Sequence, residues 1–340
     1  TLLHVLTGYR SPSEGQVLIN GEPLALIFDA LRGSIGYVPQ DDIVHPELTV
    51  WEAVRYSARF RLPSDYSDEE IDRRVQSTLL ALGLEGVAHL QIGKPEAKVL
   101  SGGQRKRVNI TLELVTDPVL LFLDEPTSGL AADDTTALVE LLLGLAKKTG
   151  KTIIATIHQP AKVEYKKFNL ALVLAQGGVP IYYGPSREAY EFFEAWRAPS
   201  ERSNIDNPRD MFGELAEREA RLPARSESSR AEARNAVALA FRKDYETSPT
   251  FERMQASERG IGTELPRQKI GQARKRPKGQ FSLLVRRYLR VKARDRVGTA
   301  ILLAQAPIIG VLLALVFGSQ KQSVPYWCLG ALEELSRRGD

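Results

Sequence analysis

Two adjacent carboxylates, Asp124-Glu125, follow the apolar run Val119-Leu120-Leu121-Phe122-Leu123. A run of that length and content reads as a buried strand, and α/β sheets bind ligands outside the carboxyl ends of their strands. Phosphoryl transfer to water uses two such groups, one to hold a divalent cation and one to orient or deprotonate the attacking water. On that chemistry Asp124 takes the metal and Glu125 the water; for the pair alone, ordinary solvated carboxylates at a strand end are an equal alternative. About twenty residues earlier stands Ser101-Gly102-Gly103-Gln104, ahead of Val108, Ile110, Leu112 and Leu114. Ser101 is placed to cap a helix there, and the two glycines let backbone N–H groups approach a phosphate at its positive end. His158 closes the next apolar run, where an imidazole reaches a terminal phosphate or its attacking water. Gln40 ends the short run Gly36-Tyr37-Val38-Pro39 and offers an amide carbonyl to a cation or to water. Each of these is weak alone; their joint occurrence in this order is the signal.

The elements that must position these groups alternate in character, as α/β domains do. Val119–Leu123 and Thr152–Ile157 are apolar enough to predict parallel strands with no wet face. Val17–Glu22 predicts a short strand and turn, and Leu2–Gly8 a buried helical piece with a glycine stop. Val50–Leu62 and Ser67–Leu82 predict amphipathic helices, the second opened by a Ser67/Glu70 capping box.

Taken together, residues 1–198 resemble an ABC-transporter ATPase domain. The resemblance makes Gln40 the Q-loop, Leu100 to Gln104 the signature, Leu120 to Glu125 the Walker B strand, Ser128-Gly129-Leu130-Ala131 the D-loop and His158 the switch histidine. Arg105-Lys106-Arg107-Val108-Asn109-Ile110, Thr156-Ile157-His158-Gln159-Pro160, Tyr182-Tyr183-Gly184-Pro185 and Asn207-Pro208-Arg209-Asp210 are similar to the G subfamily, whose half-transporters place the ATPase before the membrane domain. The family fold is a P-loop NTPase-type α/β domain with a helical signature subdomain. ATP and Mg²⁺ are the implied ligands, with Glu125, His158 and Gln40 in catalysis, Asp124 and Gln40 on the metal, and Ser101, Gly102, Gly103 and Gln104 on nucleotide. The resemblance also implies a head-to-tail dimer, in which the signature contacts ATP held mainly by the partner chain. The phosphate loop is not in the chain: Thr1-Leu2-Leu3 resembles the residues just after its Lys and Ser, which leaves Thr1 as the remaining contact and predicts weak ATP binding. Ala131 stands where the subfamily usually has Asp.

Composition sets outer limits. The 340 residues carry 46 Lys+Arg against 42 Asp+Glu, a net charge of +4, with 43% hydrophobic residues and one cysteine. A collagen, a disulfide scaffold and a wholly disordered chain are excluded. Residues 199–280, rich in Arg, Glu, Ser and Pro, predict a charged, solvated linker with partial helix. Arg274-Lys275-Arg276-Pro277-Lys278 reads as solvated or membrane-facing, so no nucleic-acid partner is expected. Residues 281–296 predict a basic amphipathic connecting helix. The roughly 22 uncharged residues of Val297–Gly318 are enough to cross a bilayer, and the basic flank puts their N-terminal side in the cytoplasm. A truncated tail, 319–340, follows. The expected protein is thus the ATPase subunit of a transporter in the plasma or inner membrane, paired with a second such chain and exporting an unidentified substrate. A soluble ABC ATPase of DNA repair or translation is one alternative, opposed by the 297–318 run. A non-catalytic transporter fragment is the other, favoured by the missing phosphate loop.

Overall fold

The computed structural model describes residues 2–31, 33–94, 96, 99–158, 160–195, 208–221, 227–264 and 279–317. Thr1, Gln159, Asn207, the 274–278 basic run and the 318–340 tail lie outside them. The described chain divides into two units, Thr1–Gln280 and Phe281–Asp340.

The first unit is built on three parallel strands, β3 (Ile35–Val38), β4 (Leu120–Leu123) and β5 (Thr152–Ala155), in the order β3-β4-β5. Ahead of them come α1 (Leu2–Leu6), the short antiparallel pair β1 (Leu18–Ile19) and β2 (Glu22–Pro23), and α2 (Leu24–Leu31). Gly8, at φ 76°, ends the first helical piece, a left-handed position where a side chain is strained. Parallel pairing requires long crossovers. Between β3 and β4 run α3 (Val50–Arg61), α4 (Asp68–Ala81) and α5 (Gly102–Leu114), and α6 (Ala132–Thr149) joins β4 to β5.

The registers align Val38 with Leu123 and Leu123 with Ala155. Two further backbone bonds, Asp124 N–H to Val38 O at 2.9 Å and Thr156 N–H to Leu123 O at 3.0 Å, carry the ladder one residue further. The residues leaving all three strands therefore emerge along one edge.

β4 is buried as predicted, with Leu121 and Leu123 fully enclosed. β5 is a correction, because Thr152 is exposed and Ile154 keeps 37% of its surface. Its outer edge pairs with no strand among the described residues, so apolar composition here does not amount to two covered faces.

Local signals account for the helix starts. Ser67 and Glu70 form the predicted capping box, and Thr49 with Glu52 and Ser101 with Gln104 form two more. Each satisfies backbone donors that the first turn leaves open. The helix α5 is covered on nearly every side: Val108, Asn109, Ile110, Thr111, Leu112, Glu113 and Leu114 are all buried. Its buried polar groups are consequently bonded. The Arg61 guanidinium donates to Glu113 at 2.7 Å, the Tyr37 N–H reaches the same carboxylate at 3.3 Å, and the Thr111 hydroxyl donates to Arg107 O at 2.7 Å.

After β5 come α7 (Lys162–Tyr165), the antiparallel hairpin β6 (Leu170–Leu174) and β7 (Pro180–Pro185), α8 (Ser186–Glu194), α9 (Pro208–Arg221), α10 (Glu227–Glu246) and α11 (Pro249–Glu264). Val237, Ala238, Phe241 and Tyr245 of α10 join Ile181, Tyr182 and Phe193 in a second core. Tyr245 closes it by donating its hydroxyl to Tyr183 O at 2.5 Å. Part of the stretch expected to be solvated linker thus has a buried face: α10 places Val237, Phe241 and Tyr245 on one stripe against the hairpin.

The second unit holds α12 (Gln280–Arg294, from Phe281 on) and α13 (Arg296–Phe317). Asp295 caps α13, accepting from Gly298 N–H at 3.0 Å. Arg296–Val316 has a mean hydropathy of 2.3 and buries none of its residues, so by length and composition it is able to cross a membrane. In water each of its bare Leu and Ile side chains forgoes about 1.5–3 kcal/mol of burial.

Candidate active site

At the carboxyl edge of the sheet, Gln40 leaves β3, Asp124 and Glu125 leave β4, and Thr156 to His158 leave β5. Parallel alignment of three strands is what brings together Gln40 and Glu125, 85 positions apart, and Glu125 and Thr156, 31 apart. The Gln40 amide Nε2 donates to Glu125 Oε2 at 2.9 Å. The Thr156 hydroxyl donates to Asp124 Oδ1 at 2.6 Å and accepts from the Glu125 N–H at 2.9 Å. The second Asp124 oxygen receives the Tyr37 hydroxyl at 3.2 Å, and that hydroxyl lies 3.0 Å from His4 Nε2. Burial, then the Asp124 charge and its hydrogen bond, raise the Tyr37 pKa above its ordinary value, so the phenol keeps its proton as a donor.

Glu125 sits at φ 44°. A non-glycine residue in that region costs on the order of 1–3 kcal/mol, and persists where its surroundings hold it. Here the Thr156 contact holds the N–H, the Gln40 contact holds the carboxylate, and Ser128 N–H bonds to Glu125 O at 3.1 Å.

The Gln40 loop is tethered from below by α5. Lys106, only 6% exposed, donates to Gln40 O at 2.8 Å. Arg105 pairs with Asp42, the Asn109 amide donates to Asp42, and Ile43 N–H donates to Asn109 Oδ1 at 3.2 Å. Burial pushes the Lys106 pKa below its ordinary value, opposed by Asp42, Asp41, Asp124 and Glu125. One helix therefore carries the signature residues at its start and holds the Gln40 loop one turn further on.

At that start, Ser101 caps α5 and accepts from Gln104 N–H at 3.1 Å, while the Gln104 side chain accepts from Ser101 N–H at 3.0 Å. Gly103 has a packing reason to be glycine, since a Cβ there would stand 2.6 Å from Asp134 Oδ1. A Cβ on Gly102 would make ordinary contact with Leu130 at 3.4 Å. Ser128 and Gly129 are exposed, and Ala131 occupies the N-cap of α6 with no side-chain acceptor.

Of the residues the sequence singles out, the structure brings Gln40 into contact with Glu125, with Asp124 adjacent at the same strand end. His158 lies exposed beyond β5, and no hydrogen bond links it to Glu125 or Gln40 among the described residues. Tyr37, Thr156, Lys106 and His4 were missed. For Thr156 a signal existed, a hydroxyl at the end of an apolar run; for Lys106 none did, because nothing local marks that lysine as buried.

The donor set suits Mg²⁺, which prefers hard oxygens and is held by one or two carboxylates plus substrate phosphates rather than by an all-protein cage. Asp124 keeps lone pairs beyond its two hydrogen bonds, and the Gln40 amide, turned with nitrogen toward Glu125, leaves its oxygen available.

Residues 1–128 match the family model of the ABC transporter domain. The mouse "Broad substrate specificity ATP-binding cassette transporter ABCG2" is 41% identical over 214 residues, 62% of this chain and 32% of that protein. "ABC transporter G family member 14" of Arabidopsis thaliana is 39% identical over 219 residues, 64% of this chain and 32% of that protein. Among solved structures, cbiO1 from Clostridium perfringens, part of the ABC transporter complex cbiONQ, is 30% identical with a TM-score of 0.49, covering 62% of this chain and 80% of that one. Over residues 1–128 the chain is thus similar to ABC transporter domains, and the relatives named here are transporters of the G family. It spans about a third of the length of the curated relatives it matches.

Proposed function

We propose that this chain is the ATP-binding and hydrolysing part of an ABC transporter that works as a head-to-tail dimer and couples hydrolysis to export across a membrane. The observation that carries the reading is the Gln40 to Glu125 contact of 2.9 Å at the carboxyl edge of the sheet, with Asp124 alongside. In this reading Glu125 accepts a proton from the attacking water, and Gln40, already bonded to it, aims that carboxylate and senses the phosphate. Asp124, with the Gln40 carbonyl, would hold Mg²⁺, which would supply positive charge against the negative charge of the phosphoryl group. His158 steadies the γ-phosphate from the β5 side. Ser101, Gly102, Gly103 and Gln104 cover the γ-phosphate of nucleotide held by the partner chain, Thr1 touches the chain's own nucleotide, and Ser128 to Ala131 form the D-loop at the dimer seam.

The division into an ATPase domain (1–198), a linker (199–280), a connecting helix (281–296), a first membrane helix (297–318) and a tail (319–340) belongs to the same proposal. The apolar α13 supports a lipid partner, and the basic flank Arg286 to Arg296 supports an ATPase domain on the cytoplasmic side of an inner or plasma membrane. The names of the relatives support transport, and leave the substrate open.

A test of the dimer is available in protein expressed from its complete coding sequence. Ser101→Arg should abolish hydrolysis while leaving ATP binding by single chains intact. Hydrolysis at the wild-type rate by the Ser101→Arg protein would contradict the shared site.

A further inference from the structure

We propose that Thr156 is the positioning residue of the hydrolytic pair: through one hydroxyl it sets both the Glu125 backbone and the Asp124 carboxylate. The proposal rests on the reading of Glu125 as the group that faces water.

A threonine hydroxyl has one proton to give and lone pairs to receive with. Thr156 uses both, donating to Asp124 Oδ1 at 2.6 Å and accepting from Glu125 N–H at 2.9 Å. Its own position is fixed by two independent features. Its N–H is bonded to Leu123 O at 3.0 Å, which ties it to β4, and its β-branched side chain is stiff about χ1. The hydroxyl is thereby a fixed point at the end of the sheet.

Glu125 has particular need of one. At φ 44° it occupies a region that side chains rarely adopt, and that turn directs its carboxylate back toward Gln40 at 2.9 Å. If the N–H contact is lost, the backbone is released toward ordinary φ values and the carboxylate moves off its line. Asp124 is less dependent, since Tyr37 holds its other oxygen at 3.2 Å. The main effect should therefore fall on Glu125 and on the chemical step, not on nucleotide binding. Thr156 is exposed, so removing its hydroxyl leaves no buried cavity to unfold the protein.

The experiment uses protein expressed from its complete coding sequence and follows Mg²⁺-ATP turnover in wild type, Thr156→Val, Thr156→Ser and Glu125→Gln, with folding checked by circular dichroism. Thr156→Val keeps the shape and loses the hydroxyl; kcat should fall by about 10- to 100-fold, the usual effect of losing a group that orients a reacting one, while KM for ATP moves by less than about threefold. Thr156→Ser restores the hydroxyl and should recover most of kcat. Wild-type kcat in Thr156→Val alongside an inactive Glu125→Gln would overturn the positioning role alone. So would a raised KM at unchanged kcat, or equal loss in the serine and valine variants. Wild-type turnover in Glu125→Gln would overturn the underlying assignment of Glu125, and the proposal with it.

Discussion

Lys106→Met separates what the buried lysine does for stability from what it does for the site. Methionine keeps a flexible apolar stem of similar length and removes the ammonium. Two opposed terms decide the outcome. The lost bond to Gln40 O, charge-assisted at 2.8 Å, is worth about 1.5–3 kcal/mol. Against this, a group only 6% exposed is relieved of an ionic desolvation cost of several kcal/mol. The two nearly cancel, and the expected net change at pH 7 is within about 1 kcal/mol, or a shift in Tm of no more than roughly 2–4 °C.

The pH dependence has a definite sign. Burial lowers the folded-state pKa of Lys106 below its ordinary 10.5, so between that lowered value and 10.5 the unfolded chain holds a proton that the folded chain has released. Stability contributed at this site therefore rises with pH through that window. Wild type should gain on Lys106→Met as the pH is raised from 7 toward 10, measured by urea unfolding of the full chain in detergent micelles. Turnover should respond differently, because the Gln40 loop loses its tether; a fall of about 10-fold or more is expected. A loss above about 3 kcal/mol at pH 7 with no dependence on pH would refute the reasoning, since Lys106 would then be stabilised by its carboxylate neighbours far beyond its burial cost.

Ala131→Ser supplies the missing N-cap acceptor of α6 and should stabilise the protein by about 1 kcal/mol; an unchanged Tm would show that the helix start is satisfied otherwise. Gly103→Ala gains about 1 kcal/mol of helix propensity, but its Cβ would stand 2.6 Å from Asp134 Oδ1 and 3.2 Å from the Asp134 Cβ, which a rotamer change does not relieve. Overpacking of about 1–3 kcal/mol should leave a net loss, largely recovered in Gly103→Ala/Asp134→Ala. Gly102→Ala, with only ordinary contact to Leu130, is the control and should be neutral or better in a thermal melt.

The parts of the fold legible in the sequence were those set by local chemistry. Ser67-x-x-Glu70 and Ser101-x-x-Gln104 spell their own capping boxes, and Thr49-x-x-Glu52 follows the same pattern. Gln40 and Asp124-Glu125 were legible because an apolar strand ends where each begins. What local pattern could not carry was contact between distant segments. Val108, Ile110, Leu112 and Leu114 alternate as if half the helix were wet, yet Asn109, Thr111 and Glu113 between them are buried too; Asn109 and Glu113 are bonded to Asp42 and Arg61, partners that no neighbouring residue announces. In α10, Val237, Phe241 and Tyr245 do recur every four residues, but charged neighbours dilute the stripe until the hairpin that covers it is seen. Ile154 was expected to be covered on both faces, and the order of strands in the sheet, which composition does not encode, leaves it at an edge.

The central claim is that the carboxyl edge of β3-β4-β5 hydrolyses ATP through Glu125. Steady-state phosphate release by Glu125→Gln, in protein expressed from its complete coding sequence and shown to bind ATP as wild type does, tests it most directly. Loss of a positioned general base predicts a fall in kcat of about 10²- to 10⁴-fold with ATP binding retained. Turnover by Glu125→Gln at the wild-type rate would contradict the account.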